Sequence, residues 1–119
     1  MKRKILIVED NVSLSQRQKD WFEQAGYDTM TAMNEPAARV LIRKHQFDLI
    51  LSDVRLPEGN GISLLEWLKK EKRDIPFIIT TEYVSVPDVV RTIKLGAKDY
   101  LPKPVHREHL LELAEEIFR

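Results

Sequence analysis

Four polar stretches, far apart in the chain, lie at the ends of short apolar runs: Glu9-Asp10, Asp53, Thr80-Thr81 and Lys103. Brought together, they would combine three carboxylates, a hydroxyl pair and one ammonium. Carboxylates packed side by side repel, so either their pKa values rise or a cation joins them. A ligand set made only of oxygen favours a hard cation, and a site that keeps waters favours Mg2+. Lys103 offsets part of the charge when the metal is absent. A central carboxylate beside Mg2+ and a lysine is a nucleophile suited to phosphorus. The metal and the ammonium would neutralise the equatorial oxygens of the transferring group, and a threonine hydroxyl could then bond one phosphoryl oxygen. The chain has no cysteine, which excludes thiol nucleophiles, disulfides and thiolate metal sites. His45, His106 and His109 have no convergent partners in the sequence and read as surface residues.

Such a site needs strands that deliver these residues to one rim. Ile5–Val8 is a continuous β-branched and apolar run, the pattern of a strand buried on both faces. Phe47–Ser52 is a second, running straight into Asp53, and Ile75–Thr80 a third. Tyr27–Ala32 is weaker and alternating, and Asp99–Leu101 is short. Helices are predicted between them. Asn11 caps one, with Leu14, Trp21, Phe22 and Ala25 on the inward face and Gly26 ending it. Asn34 caps the next, with Pro36 in its first turn and Ala37, Val40, Leu41 and Ile42 inward. After a loop with Pro57, Gly59 and Gly61, a helix carrying Ile62, Leu65 and Leu68 runs to about Lys72. Ser85-Val86-Pro87-Asp88 is a capping box that opens a helix closed by Gly96. Leu110, Leu111, Ala114 and Ile117 form the stripe of the last helix.

Five strand–helix pairs joined by short links predict an α/β fold, a doubly wound parallel sheet with helices on both faces and right-handed crossovers. Ligands of such a sheet bind beyond the carboxyl ends of the strands, which is where the acids, the threonines and Lys103 fall. Taken singly, these residues have ordinary readings. Glu9-Asp10 suits a solvated strand end before a helix, Asp53 a turn before a Pro/Gly loop, Thr81 a structural hydroxyl and Lys103 an exposed lysine. Only their joint placement carries the chemistry.

The totals bound the function. The chain has 119 residues, 43% of them hydrophobic, which is enough for one cored domain spanning 1–119. Basic and acidic residues number 19 each, so bulk charge does not point to nucleic acid. The apolar run behind the N-terminal charges is too short for a signal segment or a membrane span. A cytoplasmic protein is expected, with any output domain outside this chain.

The stretches ILIVEDN (5–11), FDLILSDVRLPEGNGISLLEWL (47–68), IPFIITTEY (75–83) and GAKDYLPKPV (96–105) together resemble the receiver domains of two-component response regulators. The likeness covers essentially the whole chain. The DYLPKP ending is most similar to receivers of nitrogen-regulator-type, enhancer-binding transcription activators. The resemblance implies a sheet order of 2-1-3-4-5, the order of the flavodoxin-like fold. It implies that Asp53 is the phosphoacceptor, that Asp10 ligates Mg2+ directly and that Glu9 acts through a bound water. The backbone carbonyl of Arg55 would be a further ligand. Thr81 would be the switch hydroxyl, Tyr100 the aromatic switch residue, and Lys103 the contact to the phosphoryl group, with a cis bond to Pro104. Phosphoryl groups would come from a sensor histidine kinase or a phosphotransfer protein. The readout would be a face of the fourth helix, fifth strand and fifth helix, serving a homodimer or an output domain and controlling transcription. Catalysis would be confined to the chain's own phosphorylation and dephosphorylation.

One position departs from the resemblance: Glu82 stands where a small residue is usual, followed by Tyr83. A carboxylate there either repels the donor, crowds the inward move of Thr81, or points into solvent. Arg55 and Tyr83 flank the site, as modulators of phosphoryl lifetime or as plain surface. Three rivals stand beside this reading. A receiver-like binding module that no longer takes phosphate is kept open by Glu82. An aspartyl-phosphate phosphatase of the haloacid dehalogenase type wants an acid where Arg55 stands. A flavodoxin-like cofactor binder wants a phosphate cradle where Glu9-Asp10 would repel phosphate.

Overall fold

A computed structural model describes residues 2–119. The chain order is β1 (Lys4–Val8), α1 (Val12–Gln24), β2 (Asp28–Ala32), α2 (Glu35–Lys44), β3 (Leu49–Asp53), α3 (Gly61–Lys70), β4 (Phe77–Thr81), α4 (Val86–Lys94), β5 (Asp99–Pro102) and α5 (Arg107–Phe118). The strands form one parallel sheet in the order β2-β1-β3-β4-β5, as the resemblance implies. Because β1 and β3 are central, both of their faces are covered, which accounts for their unbroken apolar sequences.

Side chains alternate across the sheet and feed two cores. Ile5, Ile7, Leu49, Leu51 and Ile78 face α1 and α5, where Phe22, Leu110 and Ala114 meet them. Leu6, Val8, Ile50, Phe77 and Ile79 face the other helices, where Ala38, Ile42, Leu64, Leu65 and Leu68 close over them. Each fully buried leucine or isoleucine contributes about 1.5–3 kcal/mol.

Asn11 and Asn34 cap α1 and α2 as expected, their side chains accepting from the Leu14 and Ala37 amides at 3.0 and 2.8 Å. Ser85 caps α4 over the Asp88 amide. Asn60, not singled out in the sequence, caps α3 in the same way through Ser63. The inward faces of two helices differ from expectation. In α1 the buried row is Ser15, Gln18 and Phe22; Leu14 and Trp21 flank it, and Ala25 is the exposed C-cap beyond the last turn. In α2 the buried row is Glu35, Ala38 and Ile42, and Val40 is 46% exposed. Both rows keep the i, i+3, i+7 spacing; Phe22 and Ile42 face inward as expected, and Leu14, Trp21, Ala37 and Leu41 are partly buried beside them.

Helix α4 buries only Thr92, and Val86, Val90 and Ile93 face solvent. No helix among the described residues is long and apolar enough to cross a membrane.

Candidate phosphoacceptor site

The carboxyl ends of β1, β3 and β4, with the turn after β5, converge on one rim. Glu9 follows β1 and donates its backbone amide to the Ala32 carbonyl at 3.0 Å, which fixes it against β2. Asp53 is the last residue of β3. Lys103 follows β5, its backbone amide tied to the Thr81 carbonyl at 2.7 Å. Carboxylate oxygens of Glu9, Asp10 and Asp53 all lie within 4.8 Å of one another. Glu9 and Asp53 are 3% and 7% exposed, whereas Asp10 faces solvent.

The Lys103 ammonium bridges the two buried acids, donating to Asp53 Oδ2 at 2.7 Å and to Glu9 Oε1 at 2.8 Å. The remaining oxygens are engaged by backbone. The Arg55 amide donates to Asp53 Oδ1 at 3.2 Å and the Asn11 amide to Glu9 Oε2 at 3.1 Å. Burial pushes the Glu9 carboxyl above its ordinary value, and the neighbouring Asp53 charge adds to that; Lys103 and the Asn11 amide oppose it without cancelling it. Burial works against the Lys103 cation too, but hydrogen bonds and charge from Asp53 and Glu9 win, so its pKa stands above the usual lysine range. Lys103 is therefore held as a cation between two acids, one of which is unfavourably ionised. That arrangement suits the uptake of a further positive charge.

The loop after β3 is tied down beside Asp53 by backbone contacts. The Val54 amide reaches back to the Thr80 carbonyl at 2.9 Å, and the Gly61 amide closes the loop on the Val54 carbonyl at 2.9 Å. Arg55 and Asn60 form a single antiparallel bridge across it. Gly61 is required by space: a Cβ there would sit 2.3 Å from the Asp53 carbonyl oxygen. The bond between Lys103 and Pro104 is cis, as expected.

Thr81 is buried, but its hydroxyl does not point at Asp53. It donates to the Tyr83 carbonyl at 3.0 Å and accepts from the Tyr83 amide at 3.1 Å. The Tyr100 hydroxyl is already buried and has no hydrogen-bond partner among the described residues. It is enclosed while Thr81 still holds Tyr83. Arg55 lies over the exposed Tyr83 ring, its guanidinium carbon 4.7 Å from the centroid, so the loops after β3 and β4 touch above the site. Glu82 is exposed, on a groove of about 300 Å3 shared with Leu14, Arg17, Lys103 and Val105. Its side chain is therefore open to solvent at the edge of the site, with its charge free to act on an approaching anion. His45 stands beside the Phe47 ring, and His106 and His109 are exposed; none joins the acids.

Sheet order and site together define a doubly wound α/β protein with an acid–lysine centre at the carboxyl rim. The chain belongs to the response regulator receiver domain family, whose model matches residues 5–115. It is 33% identical over 118 residues to the response regulator protein PilR of Pseudomonas aeruginosa, covering 99% of this chain and 26% of PilR. It is 36% identical over 114 residues to the polar-differentiation response regulator DivK of Brucella anthropi, covering 94% of this chain and 93% of DivK. A CheY-like response regulator receiver domain protein from Methanospirillum hungatei superposes with a TM-score of 0.93 at 31% identity, covering 99% of this chain and 95% of that one.

Proposed function

We propose that this receiver domain takes a phosphoryl group on Asp53 from a histidine kinase or phosphotransfer protein, in a Mg2+-dependent reaction, and reports it through α4, β5 and α5. The observation that carries this is the Lys103 ammonium seated between Asp53 and Glu9, with a third carboxylate at the same rim. Oxygen donors alone, two of them buried, fit a hard cation. Asp10, Asp53 and the Arg55 carbonyl would hold Mg2+, with Glu9 acting through a water, and the ion would supply charge stabilisation of the transferring group. A carboxylate oxygen of Asp53 attacks phosphorus, the bond from phosphorus to the donor breaks, and Lys103 keeps an ammonium beside the oxygens that carry the charge. Hydrolysis of the acyl phosphate restores the carboxylate, so the chain has no substrate but its own phosphoryl group.

Two polar groups give the switch a physical route. When Thr81 turns to donate to a phosphoryl oxygen, the Tyr83 carbonyl loses its donor. The Tyr100 hydroxyl lacks an acceptor among the described residues, and an unpaired buried hydroxyl costs about 1–3 kcal/mol. Pairing these two groups would bind the loop before α4 to β5 in the phosphorylated state, a differential contact of the kind a two-state equilibrium requires. The exposed Val86, Val90 and Ile93 then belong to the surface whose position changes, for a homodimer or an output domain. Control of transcription, in the cytoplasm, is part of this proposal; the likeness to enhancer-binding activators supports the transcriptional role, and a formal net charge of +0 argues against nucleic-acid contact by this domain.

Amide NMR with beryllium fluoride and Mg2+, on this chain and on Asp53→Asn, tests the reading. Shifts at Asp53, Thr81 and Lys103 that spread to Tyr100 and α4, and vanish in the variant, are expected. Shifts confined to the rim would leave binding without transmission, and none at all would favour an inert interaction module.

A further inference from the structure

Outside the acid–lysine centre, one more carboxylate is buried among the described residues, with both oxygens partnered. Glu35, at the first turn of α2, is 5% exposed. Its Oε1 accepts from the Asn60 amide at 3.1 Å and from the Ser63 hydroxyl; its Oε2 accepts from Arg39 Nε at 2.9 Å and from a second guanidinium nitrogen of Arg39. Arg39 in turn lies over the Trp67 ring of α3 at 5.1 Å. Every partner except Arg39 belongs to the segment that follows Asp53.

Gly59 completes the fit. Its φ is +113°, and a Cβ there would lie 2.2 Å from Glu35 Oε1 and 2.8 Å from Glu35 Cβ. The side chain of residue 35 occupies the volume that a side chain at residue 59 would need. The carboxylate also meets the N-terminal ends of two helices at once, α2 through its own position and α3 through Asn60 and Ser63, where negative charge is favoured. Burial alone would raise the Glu35 carboxyl, but the Ser63, Arg39 and Asn60 hydrogen bonds outweigh it and hold it below the usual value. It is therefore ionised at neutral pH.

Asn60 is the residue that bridges to Arg55 across the loop. A grip on the Asn60 amide is thus passed directly to Arg55, whose amide touches Asp53 Oδ1. We propose that Glu35 is a positioning residue of the phosphoacceptor centre: from α2 it fixes the 54–63 segment, and with it Arg55, at the geometry the centre uses. Its effect on Mg2+ rests on the metal-assisted reading of Asp53; its hold on the loop does not.

Hydrogen exchange of the metal-free chain tests the hold itself. In Glu35→Ala the Asn60, Gly61 and Ser63 amides should exchange about tenfold faster, the ratio that corresponds to about 1.4 kcal/mol, while amides of β1 and β4 stay protected. Glu35→Gln keeps an oxygen that can accept from Asn60 and Ser63 but turns an N–H donor towards Arg39, so its exchange should lie between the parent and Glu35→Ala; it remains informative should Glu35→Ala fold poorly. A Mg2+ titration then reads the consequence: affinity lower by about tenfold in Glu35→Ala and partly restored in Glu35→Gln. Unchanged exchange at Asn60 in Glu35→Ala overturns the proposal. So does exchange at Asn60 as fast in Glu35→Gln as in Glu35→Ala, which a grip through the Oε1 acceptor does not allow. Faster exchange with unaltered Mg2+ affinity overturns the link to the centre, whereas a parent chain that binds no Mg2+ overturns the metal reading and leaves the exchange result to decide the hold.

Discussion

Replacing Lys103 with methionine keeps most of the apolar stem of the side chain and removes its charge. Glu9 and Asp53 then face each other, almost fully buried, with no cation between them. Breaking a buried ion pair by removing one partner costs about 3–5 kcal/mol. A second route limits the loss: Glu9 can take up a proton, which for an acid of ordinary value 4.5 costs about 3 kcal/mol at pH 7 and under ~1 kcal/mol at pH 5. The smaller penalty prevails, so the expected loss is about 3 kcal/mol at pH 7. The sign with pH follows from linkage. In the variant, the folded-state Glu9 carboxyl is raised further above its unfolded value; a raised acid favours the fold at low pH, and that contribution disappears as pH rises through the folded pKa. The deficit against the parent is therefore small at pH 5 and full at pH 7. Mg2+ at one hundred times its Kd should return about 2.7 kcal/mol by mass action, supplying the missing positive charge. Urea unfolding of both chains at the two pH values, with and without Mg2+, measures all of this. A deficit that is equal at pH 5 and pH 7, or smaller than about 0.5 kcal/mol at pH 7, would refute the argument, since a surface substitution does as much.

Tyr100→Phe removes a buried hydroxyl that has no partner among the described residues, so the unphosphorylated domain should be unchanged or more stable, by up to about 1 kcal/mol in urea unfolding. A loss of more than that would mean the hydroxyl is bonded in solution. Gly61→Ala drives a methyl group against the backbone of Asp53 and should cost about 1–3 kcal/mol, lowering Tm by several degrees and weakening Mg2+ binding together. Glu82→Ala should speed phosphorylation by a small anionic donor through charge alone, and the gain should shrink as salt is added, because the group is exposed. Equal rates at low salt would dismiss the repulsion.

The strands and the rim were legible because their signals are local. Apolar runs ending in Asp53 or in Glu9-Asp10 declare both a buried strand and the residue at its end, and the asparagine caps announce α1 and α2. Helix faces were harder. In α1 the sheet side takes Ser15 and Gln18 beside Phe22, whereas hydrophobicity alone added Leu14, which flanks that row, and Ala25, which lies past the last turn. Glu35 escaped notice for another reason. Its meaning depends on Asn60 and Ser63, 25 and 28 residues on, and on the space left at Gly59, none of which leaves a periodic trace. Its position in the first turn of a helix gave it a sufficient local explanation. The turn between Thr81 and Tyr83 was likewise invisible, because a threonine hydroxyl reads the same whether it serves the chain or a ligand.

Helix α4 is fastened lightly: one fully buried residue, a serine cap, and an exposed pair between Arg91 and Glu66 of a kind worth ~0–1 kcal/mol. Its detachment or tilt therefore costs a small part of the ~5–15 kcal/mol that holds a domain together. A single hydrogen bond to a charged group is worth about 1.5–3 kcal/mol, enough to change a ratio of two states by roughly tenfold to a hundredfold. One such bond made at Thr81 is thus commensurate with the energy that anchors the helix. Were α4 sealed by a leucine row like that of α3, the same bond would be absorbed without moving anything, and the domain could store a phosphoryl group yet convey nothing.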